Sequence, residues 1–339
     1  MSYSVAVVNL GAIKSNINKI KGNLTKGVKY CAVVKSDAYG HGISQTAIAI
    51  EPLVDFFAVS FLEEGMVLRY SGILKPVLIL LPLKNSETEV AVRYGLSVTV
   101  DSVEKAKFIS EKRLNAKVHI AVNTGMNRLG VDCIEQLKII SLLLKKNPLC
   151  KVEGNFSHFY SENKELCYKQ YKKFCKFCSV IKRTNTDVIR HICASNCLNL
   201  DKKYQLDMVR VGVATYGYSP CSAVKTTPAM KIYAEKIVDR TIKKNENALY
   251  GEYVLQNDEK VSIIKYGYAD GAFREGLCTL NNRCMDLSCV KQGKNSNLVM
   301  DDAERIARLY GTIPYEILVS FSKRSKKIYR DYEDNSWKK

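Results

Sequence analysis

No apolar run in the sequence approaches the roughly 20 residues needed to cross a bilayer as a helix, so no membrane partner is expected. The first ten residues lack the basic n-region and long apolar core of a secretory leader and read as a strand, so a cytoplasmic location is expected. There is no tandem repeat and no low-complexity linker, which sets repeat architectures aside. The C-x-x-C formed by Cys175 and Cys178 has no second pair and no nearby histidine to complete a zinc set, so no metal is expected. No nucleic-acid motif accompanies the formal net charge of +18. Lysines are spread along the chain and concentrate only at Lys323, Arg324, Lys326 and Lys327. The charge therefore reads as solvated surface rather than a nucleic-acid footprint.

What is present is ordinary for a soluble globular protein: 339 residues, 46% hydrophobic and 25% charged. That length implies one large domain and a smaller one. The 12 cysteines are scattered, and Cys31, Cys133, Cys193 and Cys284 lie in apolar, strand-like contexts. They read as reduced thiols. Short apolar runs at 30–34, 56–59, 77–80, 96–100 and 118–122 predict strands, with helical patterns between them at 62–70 and 103–111. Further strands are expected at 152–156, 191–194 and 208–211. Alternation of this kind predicts a parallel (β/α)₈ barrel over 9–225. Beyond Pro228 the segments 231–238, 260–265 and 277–290 look like strands without long helices between them, and 301–310 looks helical. Residues 226–339 thus read as a smaller, mostly β domain.

Barrel enzymes place reactive groups at the C-terminal ends of strands. Lys35 sits there, leaving the apolar Cys31-Ala-Val-Val34 for a glycine-containing turn. Partial burial would lower its pKa and make it a Schiff-base nucleophile, although by position alone a strand-end lysine is more often solvated. Arg210, within Met208-Val-Arg-Val-Gly212, is a charge in an apolar strand and needs a specific partner.

The string Ala32-Val-Val-Lys-Ser-Asp-Ala-Tyr-Gly-His-Gly42 closely resembles the cofactor-attachment signature of the alanine racemase family. The resemblance continues in order through Asn123-Thr-Gly-Met-Asn-Arg-Leu-Gly130, Ser157-His158, 208–217, Leu249-Tyr-Gly251, Gly267-Tyr-Ala-Asp-Gly271, Cys284-Met-Asp286 and Pro314-Tyr-Glu-Ile317. It implies a pyridoxal 5′-phosphate enzyme that interconverts L- and D-alanine, in bacteria supplying D-alanine for peptidoglycan. It also implies a homodimer with shared active sites, and an N-terminal strand, 1–8, packed on the β domain. Lys35 would hold the cofactor and act as one base, and Tyr250 of the partner would be the base on the opposite face. Racemisation needs such a pair, because a proton leaves one face of Cα and returns to the other. The resemblance places Arg210 against the pyridine nitrogen, with His158 supporting it. Arg128 would orient the cofactor's phenolic oxygen and the substrate carboxylate. Tyr39, Ser195, Gly212 and Val213 would hold the phosphate. Met285, Asp286 and Tyr268 would lie near the substrate.

The chain also departs from the family pattern. Ala194 replaces an asparagine, Ala121 a lysine that can be carbamylated to brace Arg128, and Asn123 an aspartate. The C-terminal region is shortened on either side of Cys284, and an ungapped reading places Lys323 where the family has a phosphate-binding tyrosine. Lys323 therefore keeps open a serine or broad-specificity racemase, and the shortening keeps open a non-catalytic cofactor-binding relative.

Overall fold

The computed structural model describes residues 4–182, 187–222, 224–247, 249–250, 255–274 and 283–332. Gly251, the first residues of the N-terminal strand and the first part of the expected strand 277–290 lie outside them. The chain opens with β1 (Ser4–Asn9). It then lays down eight parallel strands: β2 (Lys29–Val33), β3 (Phe56–Val59), β4 (Val77–Ile79), β5 (Ser97–Val100), β6 (Lys117–Ala121), β7 (Lys151–Phe156), β8 (Ile189–His191) and β9 (Met208–Val211). Their spatial order is 8-7-6-5-4-3-2-9. The seam between β8 and β9 is bridged at Ala194 and Arg210, where the Arg210 amide donates to the Cys193 carbonyl at 3.0 Å. Lower down, the Asp207 amide donates to Arg190 O at 3.1 Å. The result is the nearly closed (β/α)₈ barrel expected from the alternation.

The barrel forms because its strands are covered on both faces. β3, β4, β5 and β9 are buried at every position, as a parallel strand covered by helices must be. The intervening helices are amphipathic. The helix Ile134–Lys146 buries Leu137, Ile140, Ser141 and Leu144, a spacing that lines one face toward the sheet.

The remaining strands are β10 (Met230–Ala234), β11 (Lys236–Ile242), β12 (Glu259–Ile264), β13 (Ser288–Lys291), β14 (Leu298–Met300) and β15 (Lys326–Arg330). They make two small sheets, ordered 14-10-1-15 and 11-12-13. The N-terminal strand is thus a central member of the second unit, antiparallel to β10 and parallel to β15. The expected strand 231–238 is in fact two, broken at Glu235, because β10 and β11 enter different sheets. The strand expected at 191–194 ends at His191, and the chain turns at Ser195. β14, β15 and the helix Pro314–Phe321 were not legible as elements: β14 is three residues long, too short for a periodic signal.

Candidate active site

At the C-terminal ends of the barrel strands lies a cavity of about 690 Å³. Lys35, Tyr39, Arg128, His158, Ser195 and Arg210 all line it, together with Gly212 and Val213. Eight residues read from the sequence as cofactor-binding therefore converge on one concave site.

Lys35 begins a turn of unusual hand. Ser36, Asp37 and Ala38 have φ of 54° and Tyr39 of 52°, so four non-glycine residues wind left-handed. That conformation costs about 1–2 kcal/mol per residue and persists only where the surroundings impose it. Here the Glu64 carboxylate accepts from the Ser36 amide at 2.5 Å and from the Ser60 and Phe61 amides at 2.8 and 3.1 Å. Asp37 accepts from the Ile43 amide at 2.8 Å and pairs with Lys327 at 3.0 Å. Gly40, at φ 78°, closes the turn against the helix Pro314–Phe321: a Cβ there would lie 2.6 Å from the Leu318 carbonyl oxygen. The turn aims Lys35 into the cavity. Burial, and then the charge of Arg128, push its ammonium pKa below the ordinary value, with Glu64 opposing. The neutral amine, the nucleophilic and basic form, is thereby favoured.

Arg210 is 4% exposed. Its Nη1 donates to His191 Nδ1 at 2.7 Å and to the His191 carbonyl at 3.0 Å, and its Nη2 to the Ser157 carbonyl at 2.7 Å and His158 Nδ1 at 3.2 Å. The guanidinium lies 5.4 Å from the Phe156 ring centre. Burial and then the cations Arg210, Arg128 and Lys35 drive His158 down to about 3, so it is a neutral acceptor. Just beyond the end of β9, the Gly212 amide donates to Ser195 Oγ at 3.0 Å. A Cβ on Gly212 would come within 2.4 Å of the Tyr39 hydroxyl, so glycine is what lets backbone, serine and tyrosine crowd around one corner. Asn123 organises the loop that carries Arg128. Its Oδ1 accepts from the amides of Gly125 at 2.9 Å and Asn127 at 3.1 Å, and its Nδ2 donates to Asp132 at 2.7 Å.

Four sequence-selected residues do not line this cavity. Tyr250 is 76% exposed, and Tyr268, Met285 and Asp286 also face solvent on the second unit. Tyr268 and Met285 are neighbours, because the amides of Tyr268 and Ala269 donate to the carbonyls of Cys284 and Met285. Asp286 pairs with Arg324 at 3.2 Å. Lys323 requires a correction: it is exposed and does not reach the cavity. The helix Pro314–Phe321 directs its first turn at the site, so Tyr315 forms the wall, 5.8 Å from the Tyr39 ring, while Lys323 follows the helix's far end.

Sequence reading missed Tyr315, Glu64 and three residues behind Arg210: His191, His119 and Glu153. For His119 the available signal was a polar residue amid the apolar run Val118 to Val122; Glu153 and His191 lie in strands that carry other polar residues and gave no such signal.

The family model described as alanine racemase, N-terminal domain, matches residues 8–220, and that described as alanine racemase, C-terminal domain, matches 229–329. An alanine racemase of Thermodesulfovibrio yellowstonii is 33% identical over 368 aligned positions, covering 96% of this chain and 97% of its own. One from Clostridium tetani is 32% identical, covering 96% and 94%. Both alignments are longer than this chain's 339 residues, so these relatives carry residues that it lacks. The solved alanine racemase of Clostridium difficile superposes with a TM-score of 0.90 at 29% identity, covering 98% of this chain and 97% of that one. The structure from Bacillus anthracis with bound L-Ala-P has a TM-score of 0.86 at 26% identity, covering 98% and 96%.

Proposed function

This chain belongs to the alanine racemase family and is an amino-acid racemase that interconverts L- and D-alanine; we propose that it works with pyridoxal 5′-phosphate at Lys35 and with Tyr250 contributed by a second copy. The observation that carries this reading is the convergence of Lys35, Tyr39, Arg128, His158, Ser195 and Arg210 on one cavity.

The residues fit that cofactor. Tyr39, Ser195 and the backbone at Gly212 and Val213 form a neutral, donor-rich corner suited to a phosphate dianion, and the missing Cβ of Gly212 opens it. Arg210, buried and held by His191, His158 and two carbonyls, would face the pyridine nitrogen from the deep side. When bound, the cofactor supplies a conjugated ring that spreads the negative charge left on Cα.

The chain's own residues do the rest. Lys35, with its pKa lowered, takes or returns the Cα proton on one face. Tyr250 does the same on the other. Its exposure in one copy, alongside exposed Ile237, Val238, Tyr268 and Met285 on the second unit, suits a homodimer with shared sites. Arg128 presents a cation at the cavity mouth for the substrate carboxylate, and Met285 and Asp286 of the partner would close over it. Arginine stays protonated, so Arg210 cannot hand its proton to the ring nitrogen. The electron sink is then modest, which disfavours side reactions. The exposed position of Lys323 removes the feature that favoured serine. A cytoplasmic enzyme feeding peptidoglycan synthesis with D-alanine is the role this assignment gives.

The test is incubation of the purified protein and cofactor with L-alanine, D-alanine or L-serine, followed by chiral analysis. Conversion of both alanine enantiomers to a common mixture is expected. A protein that binds cofactor yet converts no amino acid would refute the assignment.

A further inference from the structure

Behind Arg210 the barrel interior holds a polar line that the reaction as described does not use. His191 Nε2 and His119 Nδ1 lie 2.8 Å apart, and His119 Nε2 lies 3.2 Å from Glu153 Oε2. Ser97 Oγ donates to the same carboxylate oxygen at 2.6 Å. Both histidines are fully buried, and Glu153 is 8% exposed. The rings stack among aromatics, His191 on Phe156 at 5.3 Å and His119 against Phe56 at 6.2 Å.

The line is specifically accommodated. The β6–β7 pairing shifts register between Val118 and His119, and His119 is opposite Gly154. Glu153 is thus the extra residue on β7, released from strict alternation to turn its side chain toward His119. A Cβ on Gly154 would sit 2.2 Å from His119 Nδ1, so only glycine leaves room for the two imidazoles to meet.

The ends of the line fix its direction. An arginine only donates and a carboxylate only accepts. His191 Nδ1 must accept from Arg210, so its proton is on Nε2. That proton is donated to His119 Nδ1, whose own proton is then on Nε2 and is donated to Glu153. Each ring carries one proton and is neutral. We infer that His191, His119 and Glu153 form a one-way hydrogen-bonded relay that holds Arg210 in place and gives its buried cation a counter-charge deeper in the barrel. His119 and Glu153 are positioning residues: neither touches the cavity. Burial keeps both histidines below their ordinary pKa, and Arg210 adds to this; Glu153 opposes it for His119. Burial opposes ionisation of Glu153, but the hydrogen bonds from His119 and Ser97, with the charge of Lys117, hold it down at about 2. The relay's effect on turnover rests on the racemase reading, whereas its existence does not.

The experiment is two-bond ¹⁵N–¹H correlation spectroscopy of ¹⁵N-histidine-labelled protein, without cofactor or amino acid, from pH 5.5 to 8.5. The chain has four histidines, so the pattern can be counted before assignment. His158 Nδ1 accepts from Arg210, while His41 Nδ1 donates to the carbonyls of Ala38 and Tyr39. Three neutral rings protonated on Nε2 and one on Nδ1 are therefore expected at every pH. Once the signals are assigned, an imidazolium at His119 or His191, or either of these two rings protonated on Nδ1, overturns the relay whatever the activity. The functional arm is Glu153→Gln, whose amide oxygen can accept the same bond without the charge. The tautomer pattern should persist while kcat falls about three- to thirtyfold at unchanged KM, the range typical of network residues remote from a site. Full turnover in Glu153→Gln would overturn the role assigned to the counter-charge. The expected tautomers in a wild-type protein that does not racemise alanine would instead sink the functional assignment and leave the relay standing.

Discussion

Replacing Gly154 by alanine tests the packing that the buried histidines depend on. The added Cβ would lie 2.2 Å from His119 Nδ1, 2.4 Å from its Cε1 and 3.0 Å from the Ile189 carbonyl oxygen. His119 is fully buried and its ring is rigid, so it must tilt or the strand must move. Overpacking of this kind costs about 1–3 kcal/mol. Tilting also breaks the 2.8 Å bond to His191 and the 3.2 Å bond to Glu153, worth about 1 kcal/mol for the neutral pair and about 1.5–3 kcal/mol for the charged one. The lower chain entropy of alanine returns roughly 0.5–1 kcal/mol. The net expectation is a loss of about 2.5–6.5 kcal/mol, read as a lower urea midpoint at unchanged slope. Gly22→Ala is the control: it ends the helix Leu10–Gly22, and nothing lies within 4 Å of its added Cβ. It should be neutral or slightly stabilising. A Gly154→Ala protein within about 0.5 kcal/mol of wild type would refute the packing argument.

Three further outcomes are expected. Tyr250→Phe should lower turnover by about 10²–10⁴-fold with cofactor affinity retained, measured by chiral analysis beside a spectroscopic titration; wild-type turnover would remove Tyr250 from the mechanism. Stability should fall on acidification, because burial holds His41 down at about 4 while the unfolded side chain titrates near 6.5. The unfolded chain then binds more protons between those values, costing roughly 3 kcal/mol by pH 4 for His41 alone. Glu153, held at about 2, adds a loss that begins only below about pH 4.5; a melting temperature flat from pH 7 to 4.5 would contradict the His41 contribution. Finally, the proposed sharing of sites between two copies requires specific activity to drop on dilution in step with sedimentation; a fully active monomer would exclude shared sites.

The barrel was legible because its signals are local. The helices at 62–70 and 103–111 and the strands at 56–59 and 208–211 coincide with the observed elements, since apolar periodicity over a few residues reports the face each one buries. Lys35 was singled out through the family resemblance of a contiguous string, whose Gly40 and Gly42 adopt the positive φ that the turn requires. Tertiary structure decided what depends on register and closure. His119 and His191 are 72 residues apart, and nothing local in either strand shows that they touch. Their meeting depends on a register shift beside Glu153 and a missing Cβ at Gly154, both properties of strand pairing rather than of any one strand. The same holds for Tyr315 replacing position 323 at the cavity wall, and for β1 becoming the centre of a sheet whose other members lie more than 220 residues away. A chain segment encodes which side it buries; which partner covers that side is set only when the whole molecule closes.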